Sequence, residues 1–200
     1  MIMKSYKTLF DLIILTCSHV VLAPIFIILW IFIPTAIWLE DRGPVFYTQN
    51  RLGKNGKLFK LYKFRSMIPE AERETGAILA ADNDLRVTKV GKFIRERALD
   101  ELPQVINLWK GDLSLVGPRP ERPELMQDIV GVLPEYVERL TVKPGLTGVA
   151  QVYGRYATKP RHKLMYDRIY IREMAPLLDI KLLMHSVVLT LKAKWQQVQR

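Results

Sequence analysis

Cysteine is nearly missing: Cys17 is the single one in 200 residues, and there are only three histidines. A disulfide framework and a cysteine-based zinc site are therefore excluded. Acid is scarce beside base, with 20 Asp and Glu against 30 Lys and Arg, which leaves a net charge of +10 and a pI near 9.7. Such a surplus implies an anionic partner: nucleic acid, anionic lipid or a phosphorylated substrate. Between Leu12 and Leu39 there is no Lys, Arg, Asp or Glu at all. No internal repeat, low-complexity tract or long linker divides the remainder, and 200 residues suit one domain of ordinary size.

The uncharged run would be about 42 Å long as one straight helix, against about 30 Å of bilayer hydrocarbon. It is too long for the core of a signal peptide, and Lys4 and Lys7 lead to no small-residue cleavage site. From Arg42 to Arg65 the far flank carries Arg42, Arg51, Lys54, Lys57, Lys60, Lys63 and Arg65 with no acid among them. Basic flanks favour the cytoplasmic side, so both ends of the segment want the same face. Ala23-Pro24, near its midpoint, is a place to break, because Pro24 removes the bond to the Val20 carbonyl. A re-entrant hairpin satisfies both flanks; a kinked spanning helix is the alternative. Thr16, Ser18 and His19 are polar groups placed to serve such a bend.

Beyond Asp41 the chain has soluble character. Val45–Gln49 and Leu58–Phe64 read as strands joined by the Gly53–Lys57 turn. Pro69–Ala81 has helical composition weakened by Gly76, and Asp82-Asn83-Asp84 reads as a turn without the spacing of a calcium loop. Gln127–Leu140 reads as helix interrupted at Pro134. Ala150–Tyr153 is a short buried-strand candidate, and Arg155–His162 a basic loop. Glu121, Glu124, Asp128, Glu135 and Glu138 read mostly as charges on a solvated face. Leu177–Trp195 is a broadly apolar helix with Lys181, His185 and Lys192 on one stripe, suited to core packing with interfacial contact.

The densest chemistry lies between Arg95 and Pro120. Asp100 and Glu101 are adjacent carboxylates between the basic Arg95 and Arg97 and a stiff turn bearing Arg119. The pattern makes Asp100 a helix N-cap, with Glu101 and Pro103 in the first turn and Val105, Ile106 and Trp109 on the buried side. A carboxylate there faces the positive end of the helix dipole, which favours its ionised form. The same residues open many ordinary helices. Beside phosphate-binding arginines, an ionised Asp can also be a nucleophile, a metal ligand or both.

Five motifs in order then carry a resemblance: Lys63-Phe-Arg-Ser-Met67, Arg86-Val-Thr with Gly91, Leu99-Asp-Glu-Leu-Pro-Gln104, Gly111–Pro120 and Lys143-Pro-Gly-Leu-Thr-Gly148. Together the chain resembles the bacterial sugar transferases, specifically the minimal monotopic phosphoglycosyl transferases that act on polyprenyl phosphate. Nearly the whole chain is covered. The resemblance implies a mostly α fold with short β-strands (α+β), a re-entrant membrane hairpin over residues 1–40 and a catalytic part over 41–200. It implies transfer of sugar-1-phosphate from a nucleotide diphosphate sugar, normally a UDP-sugar, to polyprenyl phosphate, with UMP released. The implied route is ping-pong through a covalent aspartyl intermediate and initiates membrane glycoconjugate synthesis, such as exopolysaccharide.

On this chain the implied nucleophile and Mg²⁺ contact is Asp100, with Glu101 its partner. Arg95 and Arg119 match family phosphate contacts, with Lys63, Arg65 and Arg155 beside them. Tyr166-Asp167 with Tyr170 resembles the family's Asp-x-x-Tyr, and Asp167 suits holding an arginine or helping to position substrate. The implied place is the cytoplasmic face of the bacterial plasma membrane, in contact with anionic lipid and without nucleic acid beyond the nucleotide sugar. Two departures stand out: Ala23 replaces the family's Ser before the proline, and Ala98 replaces a common Ser before Leu-Asp-Glu. Rival readings are a lipid-phosphate or diphosphate hydrolase using the same aspartyl chemistry, and a non-enzymatic basic membrane scaffold.

Overall fold

The computed structural model describes residues 6–73, 84–154 and 159–192, and these are mostly helical with short strands. Two helices open the chain, α1 (Lys7–Val21) and α2 (Ala23–Asp41). The break falls at Leu22 (φ −100°, ψ 12°), one residue before Ala23-Pro24, and Pro24 sits in the first turn of α2, where its missing N–H is harmless. The Leu22 N–H closes α1 on the Ser18 carbonyl, and the Phe26 N–H reopens the ladder on Leu22. Near the break, Ser18 Oγ donates to the Leu15 carbonyl at 2.9 Å. His19 Nδ1 lies 2.7 Å from the same oxygen, which can only accept, so Nδ1 carries the proton.

By length and composition α2 is long and apolar enough to cross a membrane. Its best window has mean hydropathy 1.9 with only 11% of it buried, the reverse of a core helix. Its inner stripe, Ile33 and Ile37, packs on Phe64 and Ile94, while Ile25, Ile27, Ile28, Ile31 and Phe32 are exposed. The other helix is tied into the body. Leu15 joins the main core with Leu113, Val116, Tyr170 and Leu182.

Lys7, expected to flank a membrane, is instead buried and 2.7 Å from Asp179. Asp179 is fully buried and also accepts from the Tyr6 and Tyr170 hydroxyls, so a cation is needed there more than at a lipid surface.

The first sheet pairs β1 (Phe46–Leu52) antiparallel to β2 (Leu58–Phe64), with Phe46 opposite Phe64 and Leu52 opposite Leu58. Its turn places Asn55 and Gly56 at φ 57° and 76°, as the Gly-Lys-Asn-Gly-Lys sequence anticipated. Then come α3 (Lys89–Glu96), a 3₁₀ turn over Leu99–Gln104 and α4 (Val105–Lys110). The second sheet pairs β3 (Ser114–Val116) parallel to β4 (Gly145–Thr147). Here two of the motifs cross: a Cβ on Gly145 would stand 2.0 Å from the Gly117 nitrogen. Only glycine allows that approach.

Helix α5 (Pro123–Val132) and a 3₁₀ segment (Pro134–Thr141) divide at Pro134 as expected. The chain continues through α6 (Val149–Tyr153), α7 (Pro160–Glu173) and α8 (Pro176–Leu191). Ala150–Tyr153 is thus helix and not strand; a buried apolar run of four residues does not reveal its period. Pro160–His162 begin α7 and are not loop. Of Pro69–Ala81, residues 69–73 form turns, with Glu70 at φ 56°, and the rest lies outside the described residues, as do Asp82, Asn83 and Trp195. Glu121 is buried against Arg139, unlike the solvated charge expected.

Candidate active site

Ala98 adopts φ 54°, ψ 20° and caps the 3₁₀ turn, so Asp100 is the second residue of that turn and not an N-cap. A left-handed alanine costs about 1–2 kcal/mol. It is held because Ala98 N–H donates to the Arg95 carbonyl and its own carbonyl accepts from Glu101 N–H. The turn therefore bends sharply out of α3 and drives both carboxylates inward: Asp100 is 8% exposed and Glu101 6%.

Strand β2 faces this turn. Lys63 Nζ lies 2.8 Å from Glu101 Oε1 and 3.6 Å from Asp100 Oδ2. From the opposite side, Arg119 Nη2 donates to the same Glu101 oxygen at 2.9 Å. Glu101 thus takes the two direct bonds. Among the described residues no hydrogen bond reaches the Asp100 carboxylate, and Arg95 acts on it through charge alone.

The electrostatics separate the pair. Burial pushes the Asp100 carboxyl up from its ordinary value; Lys63 pulls it back, and the adjacent Glu101 charge adds to the rise against Arg95 and Arg119. Burial also opposes ionisation of Glu101, but Lys63 and Arg119 outweigh it and hold that carboxyl at about 2. A helix N-terminus would favour an ionised Asp100. A six-residue 3₁₀ turn has little dipole to offer, and desolvation wins.

Arg119 is fixed more firmly than its flanking prolines alone provide. Arg139 Nη2 donates to the Arg119 carbonyl at 2.9 Å, and Arg51 Nη1 to the Pro120 carbonyl at 3.0 Å. Arg139 is itself buried, bonded to Asp167 at 3.0 Å, to Glu121 at 2.9 Å and to the Tyr136 hydroxyl. Asp167 does hold an arginine, as its motif suggested. The roles of Arg51 and Arg139 are absent from the sequence reading, because nothing local marks an arginine that grips a distant carbonyl.

Asn107 was missed as well. Fully buried on α4, it donates to the Lys60 carbonyl at 2.7 Å and accepts from Tyr62 N–H at 3.1 Å. It therefore latches β2 to the helix that follows the dyad, which sets Lys63 in place. The helix faces also differ from expectation: Asn107 and Leu108 point inward, while Trp109 is 49% exposed.

Of the other residues expected here, Arg65 is elsewhere. Its guanidinium forms a fork on Asp41 at 2.6 and 2.5 Å, with Nε on the Pro44 carbonyl, clamping the end of α2 to the end of β2. Arg155 lies outside the described residues. The described residues contain no group of three or more His, Cys, Asp or Glu placed to cage a metal. What they offer is a pair of hard carboxylates, a donor set that suits Mg²⁺ completed by water and phosphate oxygens.

A buried carboxylate with open lone pairs, ringed by Lys63, Arg95 and Arg119, is equipped to attack a phosphorus and neutralise the oxygens around it. Known proteins that this chain is similar to are named as sugar-phosphate transferases. It is 42% identical over 173 residues to a UDP-N-acetylgalactosamine-undecaprenyl-phosphate N-acetylgalactosaminephosphotransferase of Aeromonas hydrophila, covering 85% of this chain and 41% of the relative. It is 40% identical over 187 residues to a UDP-glucose:undecaprenyl-phosphate glucose-1-phosphate transferase of Klebsiella pneumoniae, covering 91% and 39%. Against the sugar transferase EpsL of Bacillus subtilis it is 41% identical over 189 residues, covering 90% and 85%. The chain thus spans about two fifths of the first two relatives and most of the third. The family model for bacterial sugar transferases matches residues 2–193, a span that takes in the dyad, Lys63, Arg119 and the apolar helices, and the chain belongs to that family.

Proposed function

We propose that this chain is a phosphoglycosyl transferase that moves sugar-1-phosphate from a UDP-sugar to polyprenyl phosphate. The observation that carries the reading is the asymmetry of the dyad. Glu101 absorbs Lys63 and Arg119, while Asp100 stays buried beside cations and, among the described residues, takes no hydrogen bond on its carboxylate. The names of the relatives, which couple UDP-sugars or sugar phosphates to undecaprenyl phosphate, support the same acceptor and donor.

In the first step an Asp100 oxygen attacks the β-phosphorus of the donor, the bond from that phosphorus to the bridging oxygen breaks, and UMP departs with the electron pair. In the second, a phosphate oxygen of the polyprenyl carrier attacks the same phosphorus, and the Asp100 carboxylate leaves. Lys63, Arg95 and Arg119 offset charge on the phosphoryl oxygens, which is the main requirement of such a transfer. Mg²⁺, held through Asp100 and the substrate's phosphates, would supply further charge neutralisation when bound. Glu101 keeps Lys63 and Arg119 aimed at the reacting centre.

The exposed apolar faces of α1 and α2 suit a re-entrant hairpin that keeps Asp100 at the cytoplasmic face of the bacterial plasma membrane. There a soluble nucleotide sugar meets a lipid acceptor, and glycoconjugate synthesis begins. On this reading residues 1–40 are the membrane element and 41–200 the catalytic part, sharing a core through Leu15.

The test is UMP release from a panel of UDP-sugars with Mg²⁺, by wild type and Asp100→Asn, with and without polyprenyl phosphate. The expected result is a stoichiometric burst from wild type alone, becoming sustained only with lipid. Sustained release without lipid would identify a hydrolase. Release that survives in Asp100→Asn would remove Asp100 from the chemistry.

A further inference from the structure

Three aromatic rings cross the break between α1 and α2. His19, in the last turn of α1, stacks on Phe26, in the first turn of α2, with centroids 4.8 Å apart and planes 10° apart. Trp109 also meets His19 edge-on, at 5.7 Å and 66°. The imidazole is not free to turn away, because its Nδ1–H is held on the Leu15 carbonyl at 2.7 Å.

The two ends of this stack have different attachments. Val20, Val21, Leu22 and Ile25 around the break are exposed apolar residues. Trp109 belongs to α4, which continues directly from the 3₁₀ turn carrying Asp100 and Glu101. Between them Asn107, Leu108 and Pro103 are buried, so turn and helix move as one piece. An indole left half exposed on that piece has little to contribute to core packing. It does contact His19, in the last turn before the break.

On the phosphoglycosyl transfer reading above, we propose that Trp109 is a positioning residue that fixes the height of Asp100 relative to the bilayer by clasping His19 and, through it, Phe26. UDP-sugar arrives from water and can follow the site wherever it sits. The phosphate of a polyprenyl carrier is confined to the interface, so only the second half-reaction depends on that height. Trp109 therefore governs lipid use and not nucleotide use.

The experiment compares wild type, Trp109→Ala and Trp109→Phe in nanodiscs. Three quantities are read: the UMP burst without lipid, the KM for long-chain polyprenyl phosphate, and turnover with a water-soluble short-chain prenyl phosphate. Trp109→Ala is expected to keep its burst rate and amplitude within about twofold while its KM for the long-chain lipid rises about tenfold. Turnover on the soluble acceptor stays near wild type, and Trp109→Phe, which keeps a ring, recovers most of the loss. An intact burst also shows that the variant is folded. Unchanged lipid KM in Trp109→Ala, or a burst that falls together with turnover, would overturn the proposal. A wild-type chain that gave no UMP burst with any UDP-sugar would overturn the transfer reading beneath it.

Discussion

Lys63 is 2.8 Å from Glu101 but 3.6 Å from Asp100, so the lysine is bonded to one carboxylate and only faces the other. That difference leaves the Asp100 oxygens without a bond from Lys63 while keeping its charge beside them. Lys63→Met, which preserves most of the stem and removes the charge, is expected to slow the UMP burst by about 10²–10³-fold, the usual loss on removing one group that stabilises transition-state charge. Rapid-quench measurement of the burst checks this, and a loss under tenfold would mean Lys63 serves the fold alone.

The dyad also sets a pH profile. On the proposed mechanism attack needs the Asp100 carboxylate, so its raised pKa is expected to place the acid limb of the burst rate at higher pH than an ordinary Asp would give. Glu101→Gln removes the neighbouring negative charge and is expected to move that limb to lower pH. Stability runs by the opposite rule for the two residues. Asp100, raised, favours the fold while protonated, a contribution lost as pH climbs from 3.8 through its folded value. Glu101, lowered, contributes fully above its ordinary 4.5 and loses that contribution as pH falls towards about 2. Burst rate and urea unfolding measured across pH separate the two effects.

Asn107→Ala leaves the Lys60 carbonyl and the Tyr62 N–H without the partners they now have. Both bonds are part-buried, so each loss costs about 0.5–1.5 kcal/mol. The midpoint of denaturant unfolding is expected to fall accordingly, and the burst to slow because β2, with Lys63, is no longer latched to α4. A variant as stable as wild type would show that water replaces the amide.

Arg65 and Arg119, both expected to contact phosphate, make different contacts. Arg65 is committed to Asp41, whose carboxyl it holds near 2 by hydrogen bonding. Arg65→Ala is expected to lower Tm by about 2–4 °C for each kcal/mol lost, with KM for the UDP-sugar unchanged in the folded fraction. Arg119→Ala should do the reverse, raising KM or lowering kcat with a smaller change in Tm. Steady-state kinetics beside thermal melts distinguish them.

Topology has its own measurement. In a Cys17→Ser background, Met3→Cys and Val45→Cys are each expected to react with a membrane-impermeant maleimide from the same side of sealed vesicles. Labelling from opposite sides would replace the hairpin with a spanning helix.

Much of this site could be read from the order of residues alone. The apolar run, the break near Pro24, the β-hairpin, the Asp-Glu pair and Arg119 are local patterns whose physics acts within a few residues. A proline lacks its N–H wherever it stands, and a Gly-Lys-Asn-Gly-Lys turn reverses a strand in most settings. Even the two glycine motifs were visible, although their reason was not: Gly117 and Gly145 are glycines because their backbones cross.

Tertiary structure decided which charges meet. Nothing local in the sequence pairs Lys7, Arg51, Arg65, Glu121 or Arg139 with a partner, and each is spent on one far along the chain. Sequence sets where a charge is, but its pKa and its purpose depend on what desolvates it and which opposite charge lies within a few ångströms. That is why the adjacency of Asp100 and Glu101 was plain from the chain, while their division into one open carboxylate and one bound carboxylate appeared only when β2 and the Pro-Arg-Pro turn closed on them.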